Sequence, residues 1–446
     1  MNTPMTDVNL GDLDLSDLHG SLEDDALSSM DFLNEIAERH PDAISLAAGR
    51  PTESFFDFSA IGRHLESYHR HLVEDRGLGD GHATRTILQY GPARGIIGDL
   101  VARHLAVDEG VRTDADSIVV TVGCQEAMFL VMRALRRDAR DAVLAVSPTY
   151  VGMTGAARLA DMPVLPVATG ATGIDLDDFA AQVRGAREDG LRPRACYVMP
   201  DFANPSAASM DRGTRQALLD AAAELDLLLL EDNPYGLFHA DSARLPTLKA
   251  LDTERRVVYL GTFAKTVVPG ARIGYVVADQ RVRLAGGEHG PLAAQLSRLK
   301  SMTTVNTSPI AQAVVAGKLL EHTGSLVKAN VREKDVYQRN LRQVCDGLER
   351  RLGDLPQVSW NTPRGGYFVV VDVPFATDDR QLETCAEEYG VLWTPMSYFY
   401  APHGGERQLR LSCSALSPAQ IDMGLDRLAR YIRSRVRPQG GPGATP

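Results

Sequence analysis

Cysteine is scarce and scattered: Cys124, Cys196, Cys345, Cys385 and Cys413 are the five in 446 residues, and no two form a CxxC pair. That spacing excludes a zinc ribbon and a disulfide scaffold and fits a reducing compartment, so a cytoplasmic protein is expected. No HExxH pairing of histidines exists, and HGGE at 403–406 reads as a loop rather than a metal site. No apolar run approaches the roughly 20 residues that cross a bilayer. The opening stretch MNTPMTDVNLGDLDLSDLHGSLEDDALSSM has neither a basic n-region nor an apolar h-region, so it does not read as a signal peptide. Positive charge is in deficit. The 47 Lys and Arg against 58 Asp and Glu leave −11, which argues against a general nucleic-acid or anionic-membrane binder. A single phosphate site is untouched by that balance, because local donors decide it. No internal repeat is visible.

What is present is ordinary for a globular chain: 44% hydrophobic and 24% charged residues, at a length beyond which single cores stop growing. Two domains are therefore expected, with an acidic N-terminal arm over 1–45, a large domain over 46–320 whose first part contributes to the smaller one, a smaller α/β domain over 321–435, and a disordered tail over 436–446. Between arm and tail, short apolar runs alternate with helical patterns: SIVVTVG (117–123), AVLAVSPTY (142–150), ACYVMPDFANP (195–205), LLLLEDNPYG (227–236) and RVVYLGTF (256–263). Runs that are continuously apolar rather than alternating, with helices between, predict a parallel sheet buried on both faces. Residues 308–352 read as mostly helical, and YFVVVDVP, VLWTPMSYFY and QLRLSCS read as strands of the smaller unit.

In open α/β sheets, ligands gather outside the carboxyl ends of the strands. Here those ends carry Gly123-Cys124-Gln125 at a helix start, then Tyr150, Asn204, Asp232 with Tyr235, and Lys265 between Thr262 and Arg272. Singly, each has a plain structural reading: a turn glycine, a core aromatic, a turn-starting Asn before Pro, a capping carboxylate. Lys265 is the hardest to explain that way, because a lysine after a buried strand must stay hydrated or find a use in a cleft. Together they supply an anion site, an aromatic plate, an acid, neutral donors and an amine. Pyridoxal 5'-phosphate needs that set: a lysine for its aldehyde, a carboxylate for its pyridine nitrogen, phosphate donors and a flat apolar surface.

From about residue 45 to 432 the sequence resembles the fold type I pyridoxal-phosphate enzymes, specifically the class I and II aminotransferases. The matching pieces, in order, are LAAGRPT, LQYGPARG, VTVGCQEA, SPTY, FANPSAASM, EDNPYG, GTFAKTVVPGARIGY, GGYF and LRLSCS. Asn204, Asp232 and Lys265 follow one another at about thirty residues, one βα unit each. The resemblance implies an α/β fold with a mostly parallel central sheet between helices and a smaller α/β domain. It implies that Lys265 is the Schiff-base lysine and catalytic base, and that Asp232 keeps the pyridinium protonated. Asn204 and Tyr235 would meet the ring hydroxyl, and Tyr150 would stack on the ring. Gly123, Cys124, Gln125, Thr262 and Arg272 would form the phosphate cup. Tyr90 resembles the tyrosine that reaches a neighbouring subunit's phosphate, which implies a homodimer. Arg410 matches the arginine that grips the substrate carboxylate, and Gly49 the glycine lining the amino-acid site.

Two departures stand out. Cys124 and Ala264 occupy positions where the family often has hydroxyls, and Asn204-Pro205-Ser206-Ala207 stands where NPTG is common. β-Lyases, decarboxylases and oxidases of the same fold share Lys265 and Asp232, so those chemistries remain open beside transamination. A pyridoxal-phosphate-binding transcription regulator needs a basic winged-helix module ahead of LQYG, where this chain is short and acidic. No obvious second arginine presents itself for a side-chain carboxylate. Phe55-Phe56 and SYFYAP (397–402) read equally as pocket walls or as core. The segment SSMDFLNEIAERHPDAISLAAGRPTESFF resembles the phenylglycine-type aminotransferases of nonribosomal peptide pathways, which exchange an arylglyoxylate with an aromatic amino donor. The resemblance implies an aromatic or other apolar amino acid, an arylglycine such as hydroxyphenylglycine among them, and a 2-oxo acid as substrates.

Overall fold

Alternation within each apolar run decides which face a residue serves. In the strand Asp141–Ser147, Val143 and Ala145 join one core while Leu144 joins the core on the opposite face. In Leu228–Asp232, Leu230 and Leu229 divide the same way. Both faces are dry, which is why the runs carry so few polar residues. The computed structural model describes residues 11–23, 32, 35–239 and 244–436; the expected tail, apart from Val436, lies outside them, as does part of the expected arm.

Seven strands form the central sheet: β1 (Ile118–Val122), β2 (Asp141–Ser147), β3 (Val164–Ala168), β4 (Arg192–Val198), β5 (Leu228–Asp232), β6 (Val257–Thr262) and β7 (Ile273–Val277). Their order is β1-β7-β6-β5-β4-β2-β3. All neighbours are parallel except that β7 runs antiparallel to both β6 and β1. The sheet is therefore mostly parallel, as expected, with one antiparallel strand. The loop 263–272 carries no crossover helix, so the chain can return only antiparallel. β3 gives no continuous apolar signal in the sequence because Pro166 breaks the run, and an edge strand is where a proline without an N–H is tolerated.

The smaller unit holds an antiparallel sheet of β8 (Ser359–Trp360), β9 (Phe368–Asp372), β10 (Thr394–Pro395) and β11 (Gln408–Ser412), in the order β8-β9-β11-β10. Its long helices Val331–Leu352 and Pro418–Arg435 pack on each other. VLWTPMSYFY is not one strand: after β10 the chain turns into the short helix Met396–Phe399. Residues 35–45, expected in the arm, lie in this unit instead. Ile36 is buried in its core, and Ile44–Ser45 pairs parallel with Val391–Leu392. Farther upstream, Ser21 is buried and His19 Nε2 stands 3.2 Å from Asp161 Oδ1. Among the described residues no helix is long and apolar enough to cross a membrane.

Candidate active site

The parallel strands β2, β4, β5 and β6 end at one edge of the sheet. β1 shares their direction, because two reversals separate it from β6. β7 enters from the edge where the others leave, which brings Arg272, just before it, to the same place. A cavity of about 360 Å³ opens there between the two units. Cys124, Gln125, Tyr150, Asn204, Asp232, Tyr235, Thr262, Lys265 and Arg272 line it from the large unit, and Gly49 and Arg410 from the smaller one. Two expected members do not line this cavity: Tyr90, which is 82% exposed, and Gly123, which is buried at the helix start beside Cys124.

Lys265 Nζ donates to the Gly49 carbonyl at 2.7 Å and stands 5.8 Å from the centre of the Tyr367 ring. Burial, with the Arg272 and Arg410 charges adding to it, lowers its pKa to about 8. Asp232 moves the other way: burial raises its pKa to about 6, against the pull of hydrogen bonds and of Lys265. Its Oδ2 accepts from the Tyr197 hydroxyl at 2.6 Å, and its Oδ1 faces the Cys124 thiol at 3.6 Å. Burial first, then the nearby Asp232, brings the Tyr150 phenol up to about 12, and burial also raises Tyr235. An amine drawn toward neutrality and a carboxyl pushed toward it, in one crevice, mark a site of chemistry rather than a surface ion pair.

At one end of the cavity a helix start meets a guanidinium. Gly123 opens the helix Gly123–Leu135 at φ +72°, where a Cβ would sit 2.5 Å from Arg272 Nη2. Only glycine lets the guanidinium lie against the helix start, whose free N–H groups favour an anion. Thr262 Oγ1 accepts from the Ala264 amide at 3.1 Å, closing the same loop. Gln125 Nε2 donates to the Gly152 carbonyl.

Arg410, 7% exposed, holds the opposite end. Nη1 donates to Asn204 Oδ1 at 2.5 Å and Nη2 to the Ala47 carbonyl at 3.1 Å, while its buried Nε has no partner among the described residues. Phe368 and Phe399 flank the guanidinium at 4.3 and 4.8 Å. Burial lowers its pKa to about 10, so it remains a cation at neutral pH. A buried cation that among the described residues has no carboxylate beside it and one free N–H is a place for a ligand's carboxylate.

Several participants were not legible in the sequence. Tyr197 sits inside the run ACYVM and reads as core; Arg50 lines the cavity and qualifies the expectation of no second arginine. Of the aromatics left open, Phe399 lines the cavity, whereas Phe55 and Phe56 line a neighbouring cleft, with Arg332 stacked over Phe55 at 4.2 Å. Gly49 leaves no room for a side chain: a Cβ would lie 2.7 Å from Phe368 Cζ. Gly49→Ala should displace Phe368 from Arg410 and lower stability by about 1–3 kcal/mol, the usual cost of overpacking. Chemical denaturation would show it, and an unchanged midpoint would mean Phe368 yields freely.

Comparison with known proteins agrees with this geometry. Residues 73–428 match the family model for aminotransferase class I and II. The chain is 57% identical over 425 residues to (S)-3,5-dihydroxyphenylglycine transaminase of Amycolatopsis orientalis, covering 95% of this chain and 96% of that one. It is 28% identical to aromatic-amino-acid aminotransferase 1 of Thermococcus litoralis, over 89% of each chain. Among solved structures, Pyrococcus horikoshii kynurenine aminotransferase superposes with a TM-score of 0.81 at 26% identity, over 96% of this chain and all of that one. LysN, the α-aminoadipate aminotransferase of Thermus thermophilus, gives 0.74 at 28% identity, over 95% of this chain and 99% of that one. The chain belongs to the class I and II aminotransferases and is a pyridoxal-phosphate-dependent transaminase of fold type I.

Proposed function

We propose that this transaminase exchanges the amino group of an arylglycine, an amino acid whose aromatic ring is attached directly to the α-carbon, with a 2-oxo acid. The observation that carries the reading is the 57% identity, along nearly the whole chain, to the dihydroxyphenylglycine enzyme. The cavity supports it: Met128, Val151, Phe368 and Phe399 line it, and its buried guanidinium, Arg410, would be taken up by the α-carboxylate, leaving none buried for a side-chain carboxylate. Arg50, the remaining cationic lining residue, has an exposed side chain, so it leaves the apolar wall intact.

The residues fit the cofactor. Lys265 would hold its aldehyde, Asp232 its pyridine nitrogen, Asn204 and Tyr235 its ring hydroxyl, and Tyr150 its face. Gly123, Cys124, Gln125, Thr262 and Arg272 would hold its phosphate; the glycine-cradled Arg272 and the helix start are suited to a dianion. Bound there, the cofactor supplies an electron sink that weakens the substrate's Cα–H bond. Lys265 Nζ, poised near neutrality, takes that proton and gives it back. Arg410 grips the α-carboxylate, and its bond to Asn204 ties substrate position to the cofactor end of the cavity. Phe368 and Phe399 hold the guanidinium plane in place and keep water from it.

We also propose a homodimer in which Tyr90 serves the other subunit's phosphate cup. Leu88, Tyr90, Met302 and Val305 are all exposed apolar side chains, and Gly91, next to Tyr90, lies close to Asn306 and Pro309, just after Val305. The substrate reading is tested by single-turnover reactions of loaded protein with individual amino acids, scoring the 2-oxo acid released. Arylglycines should exceed alanine and aspartate by about tenfold or more in kcat/KM, the discrimination that one apolar wall provides. Aspartate or 2-aminoadipate reacting as fast would exclude the arylglycine assignment.

A further inference from the structure

We propose that Tyr197 and Cys124 are positioning residues of the transamination site: the phenol O–H and the thiol S–H hold the two oxygens of the Asp232 carboxylate, so that it stays ionised and aimed into the cavity. The inference rests on the reading of Asp232 as the partner of the cofactor's pyridine nitrogen. Neither role is visible along the chain. Tyr197 is separated from Asp232 by a βα unit, and Cys124 opens a helix that begins at the far strand.

Sheet register brings the first pair together. Tyr197 on β4 stands opposite Leu230 on β5, and Asp232 lies two residues further along on the same face. That diagonal is within reach of an aromatic side chain. The hydroxyl spans it and donates to Oδ2 at 2.6 Å, while Tyr197 itself is only 2% exposed and does not line the cavity that Asp232 lines. Tyr197 therefore cannot touch a substrate; it acts through Asp232. Cys124 approaches from the other side, its Sγ 3.6 Å from Oδ1. The thiol was expected in the phosphate cup, but the side chain faces the carboxylate, leaving the backbone N–H for an anion.

Both groups are donors at neutral pH. Burial, and then the Asp232 charge, raises the Tyr197 phenol and the Cys124 thiol well above their ordinary values. Each therefore keeps its proton and has one acceptor to give it to. Lys265 is the cation facing Asp232, Arg272 lies opposite Cys124, and the phenols of Tyr150 and Tyr235 stay protonated nearby. Burial alone drives the carboxyl toward its neutral form, in which it could not hold a protonated ring nitrogen; the two donors oppose that drift.

The test is a titration of the Asp232 carboxyl in cofactor-free protein by difference infrared spectroscopy, with Asp232→Asn identifying the band, alongside kcat and KM of loaded enzyme. Tyr197→Phe should raise the midpoint by about one unit, and Cys124→Ala should raise it by less. Cys124→Ser, which restores a donor, should return it to the parent value or below. In loaded enzyme Tyr197→Phe should lower kcat by about ten- to a hundredfold, the worth of one hydrogen bond to a charge, with KM within about twofold. If Asp232→Asn abolishes turnover while Tyr197→Phe and Cys124→Ala leave midpoint and kcat unchanged, the clamp is refuted and the Asp232 role stands. A midpoint that moves without any fall in kcat refutes it as well. Full turnover by Asp232→Asn overturns the underlying reading instead.

Discussion

Lys265→Ala is expected to abolish turnover, with kcat/KM falling by at least about 10⁴-fold, because one side chain serves as both nucleophile and base. The reason lies in where the amine sits. At pH 7.5 a lysine of ordinary pKa is neutral in about one molecule per thousand, whereas at a pKa near 8 about a quarter are neutral. Burial, Arg272 and Arg410 thus increase the reactive fraction by over two orders of magnitude. The Gly49 carbonyl 2.7 Å away fixes the direction of the amine. Borohydride treatment of the loaded parent should add the mass of the vitamer to the peptide carrying Lys265, and the variant should gain none. Covalent capture by cofactor-free parent should quicken as pH rises through about 8 and level off above it, since the neutral amine is the reactive form. Unimpaired turnover, or mass retained by the alanine variant, would move the covalent role to another residue.

Much of this site was legible because each member ends a strand, and strand ends can be found by counting apolar runs. SIVVTVG, AVLAVS, ACYVM, LLLLE and VVYLGT each become a strand, and the residues just past them meet at one edge. What was illegible depends on sheet register and on chain direction. IGYVV offers the same apolar signal as its neighbours, but only the short return from β6, which holds one 3-10 turn (Pro269–Ala271) and no crossover helix, makes β7 antiparallel and brings Arg272 to the cavity. Tyr197 looks like core because its hydroxyl acquires a partner only when β4 and β5 pair in one register. Cys124 reads as a weak substitute for a hydroxyl until the fold shows which oxygen its thiol faces. The smaller unit was harder for a different reason. β8 and β10 are two residues long, too short for alternation to show, and the N-terminal residues 35–45 contribute to it across the whole length of the chain.

Asp232→Ala should cost about 10³-fold or more in kcat, and the size of the loss separates charge from packing. Two effects act together in the alanine variant. It removes the anion that a protonated pyridine nitrogen requires, and it strips the Tyr197 hydroxyl and the Cys124 thiol of their acceptor. Each buried donor left unpaired costs about 1–3 kcal/mol, so the variant should also denature earlier. Asp232→Asn resolves the two. Its amide oxygen still accepts one of those bonds at nearly the same volume, so stability should be largely kept while the negative charge is lost. If the charge matters, the asparagine variant retains its fold and binds the cofactor yet remains slow, close to the alanine variant. If packing matters, the asparagine variant recovers the rate. A loss below tenfold in both, equivalent to less than about 1.4 kcal/mol of transition-state stabilisation, is too small for a group that keeps an electron sink charged. Asp232 would then be a buried structural carboxylate whose raised pKa reflects burial alone.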